Sequence, residues 1–122
     1  MGKFIIKSVP SGVKFDLAAG NGEVIATSEP YSSMAAVHKG IRSVIAIAPD
    51  AHLSDLTSEI TEKIPNPKFE VYKDKSGQYR FRLRARNGKS VVFSEAYTTK
   101  SACLGGIESV RKNAVNSETV EK

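Results

Sequence analysis

The sequence predicts an α+β fold in which two copies of one strand-rich hairpin-and-helix unit are joined by a short linker. Three observations predict it: an internal repeat, an Asn-Gly bend between alternating segments in each copy, and a change of hydrophobic period from two to about 3.6 after a tyrosine.

The repeat is found by aligning Asn21-Gly22 with Asn87-Gly88, a spacing of 66 residues. Leu17, Ala19, Ser28, Glu29, Tyr31, Ala36, Gly40, Ile41, Ser43, Val44 and Ala48 then recur without a gap as Leu83, Ala85, Ser94, Glu95, Tyr97, Ala102, Gly106, Ile107, Ser109, Val110 and Ala114. Upstream the spacing falls to 65, pairing Lys3, Phe4, Ser11 and Gly12 with Lys68, Phe69, Ser76 and Gly77. One residue has therefore been gained or lost in the first turn, because inside a strand it would flip every later side chain to the other face.

Each copy opens with a β-rich stretch (3–7; 68–73), passes a Gly-bearing turn and continues into an alternating stretch (14–19; 79–86). Asn-Gly follows, read as a two-residue type I′ turn because glycine adopts positive φ freely and asparagine tolerates it. A third strand (23–28; 89–94) precedes an amphipathic helix whose apolar stripe is Ala36, Val37, Gly40, Ile41, Val44 and Ala48, echoed by Ala102, Cys103, Gly106, Ile107, Val110 and Ala114. Ser32/Ser33 and Thr98/Thr99 offer capping hydroxyls, and Pro49 ends the first helix. A glycine inside a helix costs about 1 kcal/mol relative to alanine. Gly40 and Gly106 on the stripe therefore predict a close approach of helix to sheet, where a Cβ would collide; separately, the tyrosine of each Ser-Glu-x-Tyr is expected to pack across the helix end. Between the copies, Leu53, Leu56 and Ile60 have helical spacing, while 51–57 reads equally well as an edge strand. Pro65 and Pro67 mark the start of the second copy. The expected organisation is a first repeat at 1–57, a linker at 58–66 and a second repeat at 67–122.

Composition narrows the function classes. The formal charge of +5 is divided as −1 over residues 1–66 and +6 over 67–122, a polarity that steers anionic partners toward one end. Cys103 is the single cysteine, so no internal disulfide can form, and no signal-peptide pattern opens the chain. The run Phe4-Ile5-Ile6 is far shorter than the roughly 20 apolar residues of a membrane span. Ile6 stands where a myristoylation pattern wants Ser or Thr. A soluble, cytoplasmic protein with no membrane association is expected.

The pattern Asn-Gly, Ser-Glu-x-Tyr, Ala and Gly-Ile-x-Ser-Val resembles the YegP-like family of small bacterial proteins of unknown function, over nearly the whole chain. Asn87-Gly88, Ser94-Glu95-Ala96-Tyr97 and the run 106–114 match more closely than the first copy, which departs at Pro30, Met34 and 45–47. The resemblance implies two β-β-β-α-β repeats sharing one antiparallel sheet, with two helices on one face and the last strands exchanged between repeats. It thus implies strands at 51–57 and 115–120. It implies no catalytic residue, cofactor or metal.

With the type I′ register, Arg86 pairs with Lys89, Arg84 with Val91, Arg82 with Phe93 and Arg80 with Glu95. Phe81, Leu83, Ala85 and Val92 then face the helices, while Arg80, Arg82, Arg84 and Arg86 line the open side beside Phe93 and Tyr72. These residues and Lys89 form the candidate anion-binding site, since single-stranded nucleic acids are held by arginines interleaved with stacking rings. The competing account is a solvated face whose long arginine stems shield apolar neighbours, with Arg80 and Glu95 as a cross-strand pair.

Other polar groups suggest no chemistry. Ser28-Glu29-x-Tyr31 and Ser94-Glu95-x-Tyr97 assemble no nucleophile and base. Cys103 takes the place of Val37 and reads as a core residue; His38 and His52 lack ligand spacing, so no metal site is expected. Gly20-Asn21-Gly22 lies in a hairpin rather than before a helix, unlike a phosphate-binding loop. The leading expectation is a non-enzymatic monomer, a pseudo-dimer within one chain, that binds RNA, single-stranded DNA or another anionic partner. The alternative is a protein–protein interaction or accessory domain acting through exposed strand edges or the 117–122 tail.

Overall fold

Alternation in the first strand, β1 (Lys3–Val9), buries Phe4 and Ile6 and turns Lys3, Ile5 and Lys7 away from the core. In the computed structural model, which describes residues 2–59, 63–115 and 117–122, β1 leads into β2 (Gly12–Ala18), β3 (Val24–Thr27), α1 (Met34–Ile47) and β4 (His52–Asp55). The second copy follows the same order: β5 (Lys68–Lys73), β6 (Tyr79–Arg84), β7 (Ser90–Phe93), α2 (Lys100–Ala114) and β8 (Glu118–Glu121). All eight strands join one sheet in the order β4-β5-β6-β7-β3-β2-β1-β8. Phe15, Leu17, Phe81 and Leu83 meet the stripes of both helices in one core cluster, so the helices cover one face.

The change in repeat spacing lies in the first turn. β1 reaches β2 through Pro10 and Ser11, with Val9 opposite Gly12. β5 reaches β6 through three residues, Lys75, Ser76 and Gly77, closed by hydrogen bonds from Asp74 N–H to Gln78 O (2.9 Å) and from Gly77 N–H to Asp74 O (3.0 Å). The extra residue never enters a strand, so the buried faces stay aligned.

The Asn-Gly bends differ from the two-residue turn expected. Each is a three-residue loop: Gly88 N–H donates to Ala85 O (2.9 Å) and Ala85 N–H to Lys89 O (2.8 Å), with Gly88 at φ +85°. Asn87 Oδ1 accepts the Lys89 N–H at 3.0 Å, so the asparagine braces the loop through its side chain. The arrangement is a turn followed by a bulge that glycine's positive φ permits. A second irregularity between Leu83 and Arg84 sets Arg84 opposite Ser90, not Val91, and leaves Arg86 in the loop, unpaired with Lys89. Arg82 lies opposite Phe93 as expected.

Strands follow both helices, and each is exchanged: β4 pairs with β5, and β8 with β1. These two pairings are parallel, making the sheet mixed rather than wholly antiparallel. A parallel pair needs a return connection of about a dozen residues; 56–67 supply it for β4 and β5, while β1 and β8 have no direct connection to satisfy. Ile60, which completed the helical spacing, and Asn116, inside the expected 115–120 strand, lie outside the described residues.

Ser33 and Thr99 are the caps, each hydroxyl accepting a backbone N–H at 3.1 Å, from Ala36 and Ala102. Behind each cap a tyrosine stacks on a core phenylalanine, Tyr31 on Phe15 at 6.2 Å and Tyr97 on Phe81 at 6.4 Å between centroids. The tyrosines lie against the helix glycines. A Cβ on Gly40 would come within 2.3 Å of the Tyr31 hydroxyl and 3.2 Å of the Phe15 ring; one on Gly106 would meet Tyr97 at 2.3 Å and Phe81 at 3.0 Å. Substituting Gly106→Ala, ordinarily worth about 1 kcal/mol in favour of a helix, is expected to destabilise the protein by about 1–3 kcal/mol through overpacking. Denaturant melts would check this, and a higher midpoint would contradict the contact.

Candidate functional site

Phe81 and Leu83 are fully buried, so the period of the strand turns Arg80, Arg82 and Arg84 to the uncovered face of the sheet. Tyr72 lies opposite Arg80 on β5, and Phe93 opposite Arg82 on β7. These five residues are brought together, whereas Arg86 and Lys89 sit in the adjoining loop.

The arginines are anchored by carboxylates. Glu70, opposite Arg82 and only 6 % exposed, accepts Nε–H from Arg82 at 2.7 Å and also from Arg84, with Lys68 Nζ 3.6 Å away. Arg84 Nη1 donates to Gly88 O at 2.7 Å, tying it to the loop. Arg80 Nε donates to Asp74 Oδ2 at 2.8 Å rather than to Glu95. Arg82 also stacks its guanidinium on Tyr72, 4.6 Å from the ring centroid. The signal missed in the sequence was the alternation of β5 itself: with Phe69 and Val71 inward, Glu70 must share the arginine face.

The first copy answers with the opposite arrangement. Asp16, 4 % exposed and equivalent in the repeat to Arg82, takes Lys7 on Oδ2 at 2.6 Å, and Lys14 (3.2 Å) and Thr27 Oγ1 (2.6 Å) on Oδ1. Counting also Lys3 with Glu118, the ion pairs of this face join seven cations to four carboxylates. Arg80, Arg82 and Arg84 each have an acidic partner.

Burial alone would disfavour the charged forms of Asp16 and Glu70. Hydrogen bonds from Lys7, Thr27 and Lys14 outweigh it for Asp16, and those from Arg82 and Arg84 for Glu70, so both pKa values fall below the ordinary 3.8 and 4.5. Asp74 is lowered too, chiefly by Arg80 and then by the Ser76 hydroxyl. Elsewhere, Cys103 is fully buried and its pKa is pushed up to about 11 by burial and then by Asp55, which suits a core thiol. No group of three His, Cys, Asp or Glu suited to a metal ion occurs among the described residues, and no helix there is long and apolar enough to cross a membrane.

A carboxylate whose folded pKa is depressed contributes stability above its unfolded value and loses it as pH falls through the folded value. The protein is therefore expected to keep its melting temperature down to about pH 5 and to lose stability from about pH 4.5 downward. Glu70→Gln, which leaves Arg82 and Arg84 without their shared charge, is expected to cost about 2 kcal/mol at pH 7 and to flatten that acid limb. Thermal melts of both proteins from pH 7 to pH 2 would show it; equal limbs would mean that Glu70 holds nothing in place.

Comparison with known proteins agrees with this architecture. The family described as "Domain of unknown function (DUF1508)" matches residues 12–55 and 74–121, one segment in each repeat. A UPF0339 protein of Bordetella pertussis is 36% identical over 121 residues, covering 99% of this chain and 96% of that protein. One of Treponema denticola is 59% identical over 54 residues, 44% of this chain but 93% of its own length, about one repeat. The solution structure of the E. coli protein of unknown function yegP superposes with a TM-score of 0.81 at 29% identity, covering 99% of this chain and 92% of that one. With the model matched in both repeats and the same fold over full length, this chain belongs to the DUF1508 family of YegP-like proteins.

Proposed function

We propose that this chain is a non-enzymatic binding module that holds single-stranded RNA or DNA against the uncovered face of its sheet. The observation that supports this reading is the way the arginines are tethered. Arg80 and Arg82 engage their carboxylates through Nε, leaving the terminal nitrogens of each guanidinium without a bond among the described residues. A guanidinium held edge-on loses little further freedom when it meets a phosphate. The excess of seven cations over four carboxylates supplies attraction at a distance. Phe93 beside Arg82 offers ring surface to bases, while Tyr72 holds the Arg82 guanidinium from below. The polar groups of this face are committed to one another in ion pairs, which favours a recognition surface over a reacting one.

A second reading has its own observation. β4 is an edge strand carrying Leu53, with Leu56 just beyond it, both 45% exposed, and such an edge can accept a strand from another polypeptide. In either case the chain acts as a monomer on this proposal, since each repeat receives its completing strand from the other.

Fluorescently labelled oligonucleotides titrated at 25 mM and 150 mM salt test the first reading. Binding is expected at low salt with a steep salt dependence, and the Arg80→Gln, Arg82→Gln variant should lower the salt slope by roughly one to two units. No binding at low salt overturns it, and co-purification of a stoichiometric polypeptide without nucleic acid favours the β4 edge. Light scattering should return the mass of one chain, 13.2 kDa. A dimer mass would mean that the exchange occurs between molecules.

A further inference from the structure

On the helix side, away from the arginine ladder, a groove of about 330 Å³ opens between α1 and the β6–β7 hairpin, so one wall belongs to each repeat. Its apolar lining comes from small or short side chains, Ala36 and Gly40 on the helix wall, Ala85 and Val91 on the hairpin wall, with Pro30 at one end. Gly40 must stay bare to admit the Tyr31 ring, so the helix cannot fill the space from its own side.

Polar groups converge on this apolar floor. Tyr31, Lys39 and Ser43 line it on the α1 side and Lys89 on the hairpin side. Among the described residues, the side chains of these four make no hydrogen bond or ion pair. The one carboxylate in the lining, Glu29, is exposed, as are Lys39 and Lys89. Uncommitted donors and two cations around an apolar slot are what a small amphiphilic anion needs: burial for its body, and donors and opposite charge for its head.

The internal repeat supplies a control. Across the 66-residue spacing, Lys39 becomes Gly105, Lys89 becomes Glu23 and Ser90 becomes Val24, while Tyr31 and Gly40 remain tyrosine and glycine. Ser43 becomes Ser109, whose hydroxyl accepts a bond from the Asn113 amide at 3.1 Å and is therefore occupied. Tyr31 and Gly40 are repeated, hydroxyl included; the two lysines are not. Packing accounts for the repeated pair, and it does not account for two lysines lining the groove of one copy alone.

We propose that this groove is a binding site for a small organic anion, an aromatic or short aliphatic body carrying a phosphate or carboxylate head, with Lys39 and Lys89 clasping the head and Tyr31 and Val91 flanking the body. The site is independent of the sheet face and stands or falls without it.

Phenyl phosphate is the probe, titrated into the full-length ¹⁵N-labelled chain, with inorganic phosphate and phenol as its two separated halves. Saturable amide shifts are expected at Tyr31, Gly40, Asn87 and Ser90, with little change at Glu23, Tyr97 and Gly105. Phenyl phosphate should bind more tightly than either half, and benzoate, which keeps the ring and changes the head, should shift the same amides. Lys89→Glu, which copies the residue of the other repeat, should weaken binding roughly tenfold by replacing an attraction with a repulsion. Lys39→Glu provides a second reversal on the opposite wall. Equal shifts in both repeats, equal binding of inorganic phosphate alone, or unchanged affinity in both folded variants would overturn the proposal. Unchanged oligonucleotide binding in the Lys39→Glu variant, and unchanged phenyl phosphate binding in the Arg80→Gln, Arg82→Gln variant, would show that the two sites fail or succeed separately.

Discussion

Each repeat completes the other by giving up its last strand, and the rest of the structure depends on that exchange. At the middle of the sheet β3 and β7 meet through a single registered pair, Thr27 with Phe93, too short a ladder to hold two halves together. Four-residue parallel pairings at both outer edges, β1 with β8 and β4 with β5, tie the copies together instead. The helices reinforce the tie by reaching across, α1 toward β7 and α2 toward β2 and β3. Arg111 of α2 adds a polar clasp: it lies over the Phe69 ring and donates to the carbonyls of Ala48 and Pro49, where α1 ends without a basic residue of its own. One hydrophobic cluster drawn from both repeats is the result.

Duplication preserved the inner face and rewrote the outer one. Phe4, Phe15 and Tyr31 keep their counterparts Phe69, Phe81 and Tyr97 in nearly the same ring geometry, because a close-packed core punishes any change of volume. Outside, Asp16 became Arg82 and Ile5 became Glu70, moving the buried acid from the middle strand of one repeat to the first strand of the other. Both arrangements obey the same rule: a carboxylate covered by long cationic side chains survives burial only if hydrogen bonds from those cations replace its water. The arginine ladder of the second repeat is thus partly the retinue of Glu70, and its lack of a copy in the first repeat follows from Asp16 collecting lysines and a threonine there.

Much of this was legible in the residues. The repeat, the two helices with their caps at Ser33 and Thr99, the inward phenylalanines and the collision that keeps Gly40 and Gly106 bare all rest on local periodicity and sterics. The Asn-Gly bends show where local reasoning fell short. The same dipeptide closes a two-residue or a three-residue loop, and the choice moved Arg84 from Val91 to Ser90 and removed Arg86 from the ladder. Turn composition names the residues of a bend, whereas the register on either side is settled by which pairing keeps Leu83 and Val92 in the core.

The sequence by itself determined which side chains point to the helix-covered face of the sheet and which to the other, because alternation and helical period act over a few neighbouring residues. Tertiary structure alone decided who meets whom across the repeats: the parallel docking of β4 and β8, Glu70 beneath two arginines, and α1 of one repeat beside the β6–β7 hairpin of the other. Those partners are separated by 12 to more than 100 residues, and no local pattern carries information over that span. Only the closure of the sheet brings them within reach of a hydrogen bond or a charge.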